Sequence, residues 1–267
     1  MAMKTPTSVT RLLKYLERRH RQLQPLLIIT HDHPDPDAFA CAWGLQRLVQ
    51  HLYKVRSRIV YSGIVGRREN LLMLESLLIP AQPLKKIHLE TKAVAVVDTQ
   101  PPFRNNRLTT RRSVQIVIDH HPKHKLTKAG LAVIDESVGA TATIIAEALQ
   151  AAEVPVSRRL ATAIVYGIAS ETQNLGRDAS PRDVAAYLAF LPKASMKALW
   201  RITNPPRSPS YFRTLARGIR DAFVSRNIIG VHLRELASPD SVGEMADFLL
   251  TQEKMRWSIV TGRYKGR

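Results

Sequence analysis

The chain has 267 residues, and its 45% hydrophobic content suffices for one large domain or for one full domain and part of a second. A single cysteine, Cys41, excludes an intramolecular disulfide framework and a zinc site built from cysteines. Forty Lys and Arg residues against 22 Asp and Glu give a formal charge of +18. This charge either favours a phosphate-bearing partner or serves solubility. Because the basic residues are spread along the chain, a dedicated nucleic-acid module is not indicated.

Apolar runs and helical patterns alternate along most of the chain. A basic amphipathic helix is predicted over residues 9–23 and ends before Pro25. The predicted strands cover residues 26–30, 58–61, 93–97, 114–118 and 131–134. The other helices are predicted over residues 38–53, 67–78, 139–151 and 157–170, with one more beginning at Ser180-Pro181. This alternation is typical of an α/β fold with a mostly parallel sheet and helices on both faces.

A proline-rich stretch at residues 204–210 predicts a linker, because successive prolines are incompatible with helix. Beyond it the pattern predicts a helix, a strand, a helix and a last strand, at residues 211–224, 228–232, 241–250 and 257–261. The expected domains are a basic N-terminal helix, an α/β domain, the linker and a partial α/β C-terminal domain, at residues 1–24, 25–203, 204–210 and 211–267.

The sequence carries no signal for export or for a membrane. Residues 1–25 are basic and polar without an apolar core, and a run of eighteen apolar residues occurs nowhere. A single cysteine fits a reducing compartment. We therefore expect a cytoplasmic protein with no membrane partner.

Three of the predicted strands end in residue types that bind metals. These residues are His31, His33, Asp35 and Asp37 after the first strand, Asp98 after residues 93–97, and Asp119, His120 and His121 after residues 114–118. Because the carboxyl ends of parallel strands meet at one edge of a sheet, the three groups should converge. Imidazole and carboxylate together hold divalent metals, whereas solvated strand-end acids would explain one such group but not three.

The spacing suggests a pair of metal ions. Asp98 is placed to bridge them, with His31 and Asp35 on one ion and with Asp37 and His120 on the other. Two metals roughly 3.5–4 Å apart form the clamp used for in-line phosphoryl displacement. Pro34 and Pro36 fix the loop between the ligands and so lower the entropy lost on closing around a metal.

Two residues of the third group are given catalytic roles. Asp119 is expected to lie behind the ligands and to orient them, and His121 is expected to face the substrate phosphate as donor or acid.

The ordered set of motifs resembles the DHH phosphoesterase superfamily. It consists of His31, Asp35 and Asp37-Ala38 after the first strand, Asp98 after a middle strand, and Asp119-His120-His121 after a later one. The resemblance covers residues 24–190 and is greatest to the bacterial oligoribonuclease and 3′-phosphoadenosine-5′-phosphate phosphatase branch. It implies a DHH-type domain, a metal-dependent hydrolase that cleaves phosphate esters, and a site for two divalent ions, with Mn²⁺ expected and Mg²⁺ as the alternative.

The resemblance also implies the ligand sets. One ion is expected on His31, Asp35 and Asp98. The other is expected on Asp37, Asp98, His120 and a late acidic residue, usually Asp in an Asp-Thr pair after a helix that ends in Gly-Ile. Here the matching stretch, Gly167-Ile168-Ala169-Ser170-Glu171-Thr172, provides Glu171 instead.

Thr141 and Thr143 begin a predicted helix in a run of small residues. The matching segment of the family suggests that their hydroxyls and the free amides of the helix contact a substrate anion, and plain helix capping explains them equally well.

The expected function is hydrolysis of short oligonucleotides or nucleotide bisphosphates. A pyrophosphatase or polyphosphatase of the same superfamily is one alternative, and a catalytically weak protein that only binds a phosphate ligand is the other. The family's second domain carries a glycine-rich segment with a histidine, which residues 211–267 lack. We therefore expect weak substrate affinity and self-association through the strand at residues 257–261, giving a homo-oligomer.

Overall fold

The computed structural model describes residues 5–108 and 112–265, which form two compact units. The larger unit takes in the chain up to Val65 together with Asn70–Thr203, and the smaller unit takes in Gly66–Glu69 and the chain from Asn204 onward. Among the described residues, no helix is both long enough and apolar enough to cross a membrane.

The larger unit is an α/β fold. In chain order its elements are α1 (Thr7–Arg19), β1 (Leu26–Asp32), α2 (Pro36–Tyr53), β2 (Ser57–Ser62), α3 (Arg68–Ser76, which begins in the smaller unit), β3 (Ala81–Pro83), β4 (Ala93–Val97), β5 (Ile116–Asp119), β6 (Leu131–Ile134), α4 (Thr141–Ala151), α5 (Arg158–Glu171), α6 (Pro181–Phe190) and α7 (Met196–Thr203). The six strands form one sheet in the order β3-β2-β1-β4-β5-β6, and every neighbouring pair is parallel. The predicted fold class is confirmed.

Both faces of the sheet are buried, as all-apolar parallel strands require. On β1, Leu26 and Ile28 belong to the main core, which also contains the apolar faces of α1, α2, α4 and α5. The alternate residues Leu27 and Ile29 pack on the opposite face in a smaller cluster that includes Leu108. This alternation follows from the period of two along a strand.

The smaller unit contains α8 (Pro209–Arg220), β7 (Phe223–Ser225), β8 (Ile228–Glu235), α9 (Asp240–Leu249) and β9 (Trp257–Arg263). β8 is the central strand, antiparallel to β7 and parallel to β9. One face of this mixed sheet packs through Ile229, Val231 and Leu233 against side chains of α8 and α9, including Leu215 and Met245.

The prediction of a helix over residues 211–224 was wrong at its end. α8 stops at Arg220, and Phe223 and Val224 pair with β8 instead. Both residue types favour strands, and the turn at Arg226, with a left-handed φ of 53°, closes the hairpin. β3 and α7 were not predicted. β3 is only three residues long, and α7 is a short helix of eight residues.

Candidate metal centre

The candidate metal centre lies at the carboxyl ends of three neighbouring strands, β1, β4 and β5. His31 is near the end of β1, while Asp98 and His120 directly follow β4 and β5. Adjacent parallel strands deliver these residues to one edge of the sheet. Asp98 has a left-handed φ of 57°, a costly conformation for a residue other than glycine that is concentrated at functional positions.

His31 lies between two carboxylates. Its Nε2 atom is 3.7 Å from Asp35 Oδ2 and 3.5 Å from Asp98 Oδ2. Burial by itself lowers the pKa of His31, but the two carboxylates outweigh it and raise that pKa to about 11. The other ring nitrogen, Nδ1, lies 2.8 Å from the Asp32 carbonyl, which fixes the ring and leaves Nε2 for a metal. Asp35 Oδ1 caps α2 by accepting from Ala38 N at 2.9 Å.

His120 provides a buried ring nitrogen that has no hydrogen-bond partner among the residues the structure describes. This Nε2 atom is 3.9 Å from Asp98 Oδ1 and 3.9 Å from Glu171 Oε1. An unpaired buried nitrogen is costly, and a ring nitrogen facing two carboxylates is a donor set for a divalent cation. The residues at this edge of the sheet therefore fit a metal.

Glu171 reaches His120 from the last residue of α5. The helix approaches α2 closely at Gly167, where an added Cβ would lie 2.9 Å from Ala40 Cβ and 3.1 Å from Pro36 O. Only glycine permits this approach without displacement. The position that the resemblance gave to the last ligand thus lies beside His120, with Glu in place of Asp.

Asp37 is buried in the first turn of α2 and contacts the start of α4. Its Oδ2 accepts from Thr141 N and its Oδ1 from Ala142 N, both at 2.7 Å. Burial raises the pKa of Asp37 well above its ordinary value, and the nearby charge of Asp98 raises it further. Both oxygens are already engaged by α4, so the ligand role of Asp37 stays a prediction.

The structure places the two threonine hydroxyls inside the protein. Thr141 Oγ1 donates to Asp98 Oδ1 at 2.7 Å, and Thr143 Oγ1 donates to Asp183 Oδ1 at 2.5 Å. Both side chains are fully buried. The anion that meets the start of α4 is Asp37, and this placement gives no support to substrate contacts by these hydroxyls.

His121 lies on the solvent side of the cluster, with 46% of its side chain exposed. Its Nδ1 atom donates to Asp119 Oδ1 at 2.8 Å and lies 3.9 Å from Asp98 Oδ1. The hydrogen bond to Asp119, partly opposed by burial, raises the pKa of His121 to about 9. With Nδ1 held by Asp119, Nε2 is the nitrogen left for a substrate.

Gln100 is a buried residue of this site that sequence reasoning missed. Its Nε2 donates to Asp119 Oδ2 at 2.8 Å, and its Oε1 accepts from His124 N at 2.8 Å and from Thr127 Oγ1 at 2.7 Å. The signal available in the sequence was a polar residue two positions after the strand-end Asp98. Nothing in that signal indicates burial.

The chain is similar to known proteins in sequence and in structure. The family model described as "DHH family, N-terminal domain" matches residues 25–168. The chain is 36% identical over 257 residues to the uncharacterised protein MJ1633 of Methanocaldococcus jannaschii, a match that covers 94% of this chain and 52% of that protein. The chain thus spans about half the length of this curated relative.

Two solved structures share the fold. An exopolyphosphatase-related protein from Bacteroides fragilis has a TM-score of 0.71 at 13% identity, covering 93% of this chain and 77% of its own. A Methanococcus jannaschii protein provisionally described as a family II inorganic pyrophosphatase has a TM-score of 0.52 at 14% identity, covering 90% and 84%. At such identities the likeness concerns the fold alone. The family match at residues 25–168 spans more than half of the chain, which therefore belongs to the DHH family.

Proposed function

We propose that this chain is a phosphoesterase that uses two divalent metal ions, Mn²⁺ or alternatively Mg²⁺, to hydrolyse short oligonucleotides or nucleotide bisphosphates. The observation that carries the proposal is the buried, unpaired Nε2 of His120, which faces the carboxylates of Asp98 and Glu171. Membership in the DHH family supports the same chemistry.

The proposed ligands form two sets that share Asp98. His31, Asp35 and Asp98 would hold one ion, since the His31 Nε2 atom is within 3.7 Å of both carboxylates. Asp98, His120 and Glu171 would hold the other, with Asp37 beside them. Bound ions would supply Lewis acidity and neutralise charge on the attacking and leaving oxygens of an in-line displacement.

His121 is the proposed proton donor. Asp119 accepts a hydrogen bond from its Nδ1 and raises its pKa to about 9, which favours the protonated ring. A protonated ring exposed beside the proposed metal ligands would hold a substrate phosphate and give the proton on Nε2 to a leaving oxygen. Asp119 and Gln100 orient that ring from behind.

Exposed cations on the loop after β4 support an anionic substrate. This loop is held against β1, because Asp32 N donates to Asn105 O at 2.5 Å. Arg107 lies 3.7 Å from Asp32 Oδ2 and keeps 65% of its side chain exposed, and Arg104 on the same loop is also exposed. Phosphate groups are steered and held by such side chains.

The test begins with a generic aryl phosphodiester and added Mn²⁺, using protein stripped with a chelator as the reference. Metal-dependent turnover is expected, and its absence in protein that binds two ions would favour the phosphate-binding alternative. Rates are then compared for a dinucleotide, a nucleotide bisphosphate, pyrophosphate and polyphosphate. Faster turnover of the inorganic substrates would overturn the proposed substrate class.

A further inference from the structure

A cleft of about 550 Å³ lies in the larger unit, between the two connections that flank β5. The first connection runs from β4 to β5 through residues 98–115 and lines the cleft with Pro101 and Pro102. The second connection runs from β5 to β6 through residues 120–130 and lines it with Leu126. Small-molecule sites have volumes of roughly 300–1,000 Å³, so the cleft has room for a small organic ligand.

The cleft is separate from the candidate metal centre. Val114 and Gly130, which also line it, precede β5 and β6 and so lie at the amino ends of these strands. The candidate metal centre lies at the carboxyl ends of the strands, and none of its proposed ligands lines the cleft. A molecule bound in the cleft would therefore need neither metal ion.

Much of the cleft surface is apolar. Val114 is 3% exposed and belongs to the smaller core cluster, and Ala129 packs against that cluster. Leu126 lines the same cleft and is 60% exposed, so its side chain is available to a ligand. Pro101 and Pro102 add two stiff apolar rings. Such a surface gains free energy when a flat apolar group covers it.

Each connection also gives the cleft a cation, Arg112 from the first and Lys128 from the second. The guanidinium of Arg112 is fixed, because Nη1 donates to Leu89 O and Nη2 donates to Thr91 O. Its remaining donor, Nε, is buried and has no hydrogen-bond partner in the described part of the chain. Carbonyl oxygens carry no net charge, and no acidic residue is among the described residues that line the cleft. The two cations are therefore available to an anion.

Hydrogen bonds hold the two connections together beside the cleft. Gln100, which precedes Pro101, accepts at Oε1 from Thr127 Oγ1 at 2.7 Å, and Thr127 is flanked in sequence by two residues that line the cleft. At the amino ends of the strands, Gly130 N donates to Val114 O at 2.9 Å. A site whose walls are already fixed loses little ordering free energy when a ligand binds.

We propose that this cleft binds a phosphate monoester that carries a flat apolar ring, such as a nucleoside monophosphate, without metal ions. The ring would lie against Leu126 and the two prolines, and the phosphate would lie between Arg112 and Lys128. A mostly apolar cleft with a few fixed polar groups is the usual composition of a small-molecule site. Arginine and lysine are frequent partners of phosphate. The inference goes beyond the proposed function, because it concerns a second site that requires no hydrolysis.

The experiment is a calorimetric titration of the whole chain with adenosine 5′-monophosphate in excess EDTA. The wild type is expected to bind one equivalent. Ribose 5-phosphate and inorganic phosphate should bind at least about tenfold more weakly, because both lack the ring that would cover the apolar surface. Absence of nucleotide binding would overturn the proposal, and so would equal affinity for the nucleotide and ribose 5-phosphate.

Lys128→Gln should weaken nucleotide binding about tenfold, because a hydrogen bond to a charged group is lost. Lys125→Gln is the matched control, since Lys125 is exposed on the same connection and does not line the cleft. It should bind like the wild type. Leu126→Ser should weaken binding of the nucleotide and leave that of inorganic phosphate unchanged. Equal losses in Lys125→Gln and Lys128→Gln would indicate attraction by net charge alone and would overturn the proposal.

Photolabelling of the wild type with an azidoadenosine monophosphate in EDTA locates the ligand without any substitution. Adducts are expected on Pro101, Pro102 or Leu126. Adducts confined to the loops that carry His31 and His120 would place the nucleotide at the metal centre and overturn the proposal. Failure here is distinct from failure of the proposed function. Binding in EDTA by a protein that hydrolyses nothing with Mn²⁺ would sustain this inference alone, and hydrolysis without binding in EDTA would sustain only the enzyme.

Discussion

Gln100 donates its side-chain amide to Asp119 at 2.8 Å, and Asp119 in turn accepts from His121 Nδ1 at the same distance. The three side chains form a chain of hydrogen bonds from a fully buried amide to a half-exposed imidazole. The orientation of the exposed ring therefore depends on a residue that is fully buried.

Gln100→Met tests this dependence. Loss of the amide leaves Asp119 Oδ2 unpaired in the interior, which should cost about 1–3 kcal/mol of unfolding free energy. We expect kcat to fall about 10- to 100-fold with little change in KM, as for residues that orient a catalytic group. Gln150→Met, at an exposed position of α4, is the control. Wild-type kcat and pH profile in the folded Gln100→Met protein would refute the positioning role.

Asp98→Ala removes the carboxylate shared by both proposed metal sets. Two cations would then face each other without a bridging charge, so turnover should drop to background and the bound metal, counted by elemental analysis, should fall below two ions. Asp178→Ala, which removes a carboxylate that is 84% exposed, should change neither quantity. A folded Asp98→Ala protein that keeps its activity would rule out the shared ligand.

Comparison of Glu171→Gln with Glu171→Asp separates the effect of the carboxylate charge on metal binding from the effect of side-chain length. Burial and the charges of Asp35 and Asp98 raise the pKa of Glu171, so a nearby cation would favour its charged form. Calorimetric titration with Mn²⁺ should show the weaker site of Glu171→Gln reduced about 10- to 100-fold, while Glu171→Asp retains binding with an altered metal preference. Glu153→Gln, at an exposed position, serves as control. Equal metal affinity in Glu171→Gln and wild type would remove Glu171 from the site.

The same substitution at two glycines should have opposite effects on stability. At Gly167 an added methyl would lie 2.9 Å from Ala40 Cβ, so Gly167→Ala should destabilise the fold by about 1–3 kcal/mol and weaken metal binding by displacing α5. At Gly243, exposed on α9, no neighbouring atom would be nearer than 3.9 Å, and Gly243→Ala should stabilise by about 0.5–1 kcal/mol. Urea denaturation measures both. Equal effects at both positions would contradict the close packing of α5 on α2.

The lowered pKa of Asp135 leads us to expect a free energy of unfolding that depends on pH. Burial opposes its ionisation, but hydrogen bonds from Ser137, Ser8 and Arg182 outweigh burial and lower its pKa from 3.8 to about 2. Because the folded pKa is the lower one, the carboxylate stabilises the fold above pH 4, and this contribution is lost as the pH falls from about 4 to 2. Asp135→Asn should therefore differ most from the wild type above pH 5, in urea denaturation at a series of pH values. A difference that grows on acidification would show the sign to be wrong.

The convergence of the candidate ligand positions at one edge of the sheet could be predicted from sequence, because it depends on local pattern. Apolar runs that end in His31, Asp98 and His120 predict buried strands, and parallel neighbours necessarily end together. The hydrogen bonds of Gln100 and Thr143 could not be predicted in this way, because their partners, Asp119 and Asp183, lie 19 and 40 residues away along the chain. Such hydrogen bonds depend on how the elements pack, which the periodicity of a strand or helix does not indicate.

The contact of Asp37 and Asp98 with the start of α4 has a kinetic consequence. Two backbone amides and the Thr141 hydroxyl hold these carboxylates in place through bonds of 2.7 Å. A cation bound at the proposed site would meet carboxylates that the protein already holds in place, so little ordering entropy would be lost on capture. The rate of metal binding should therefore be limited by how fast the hydrated ion loses its water. It should depend strongly on which metal is bound and only weakly on the protein.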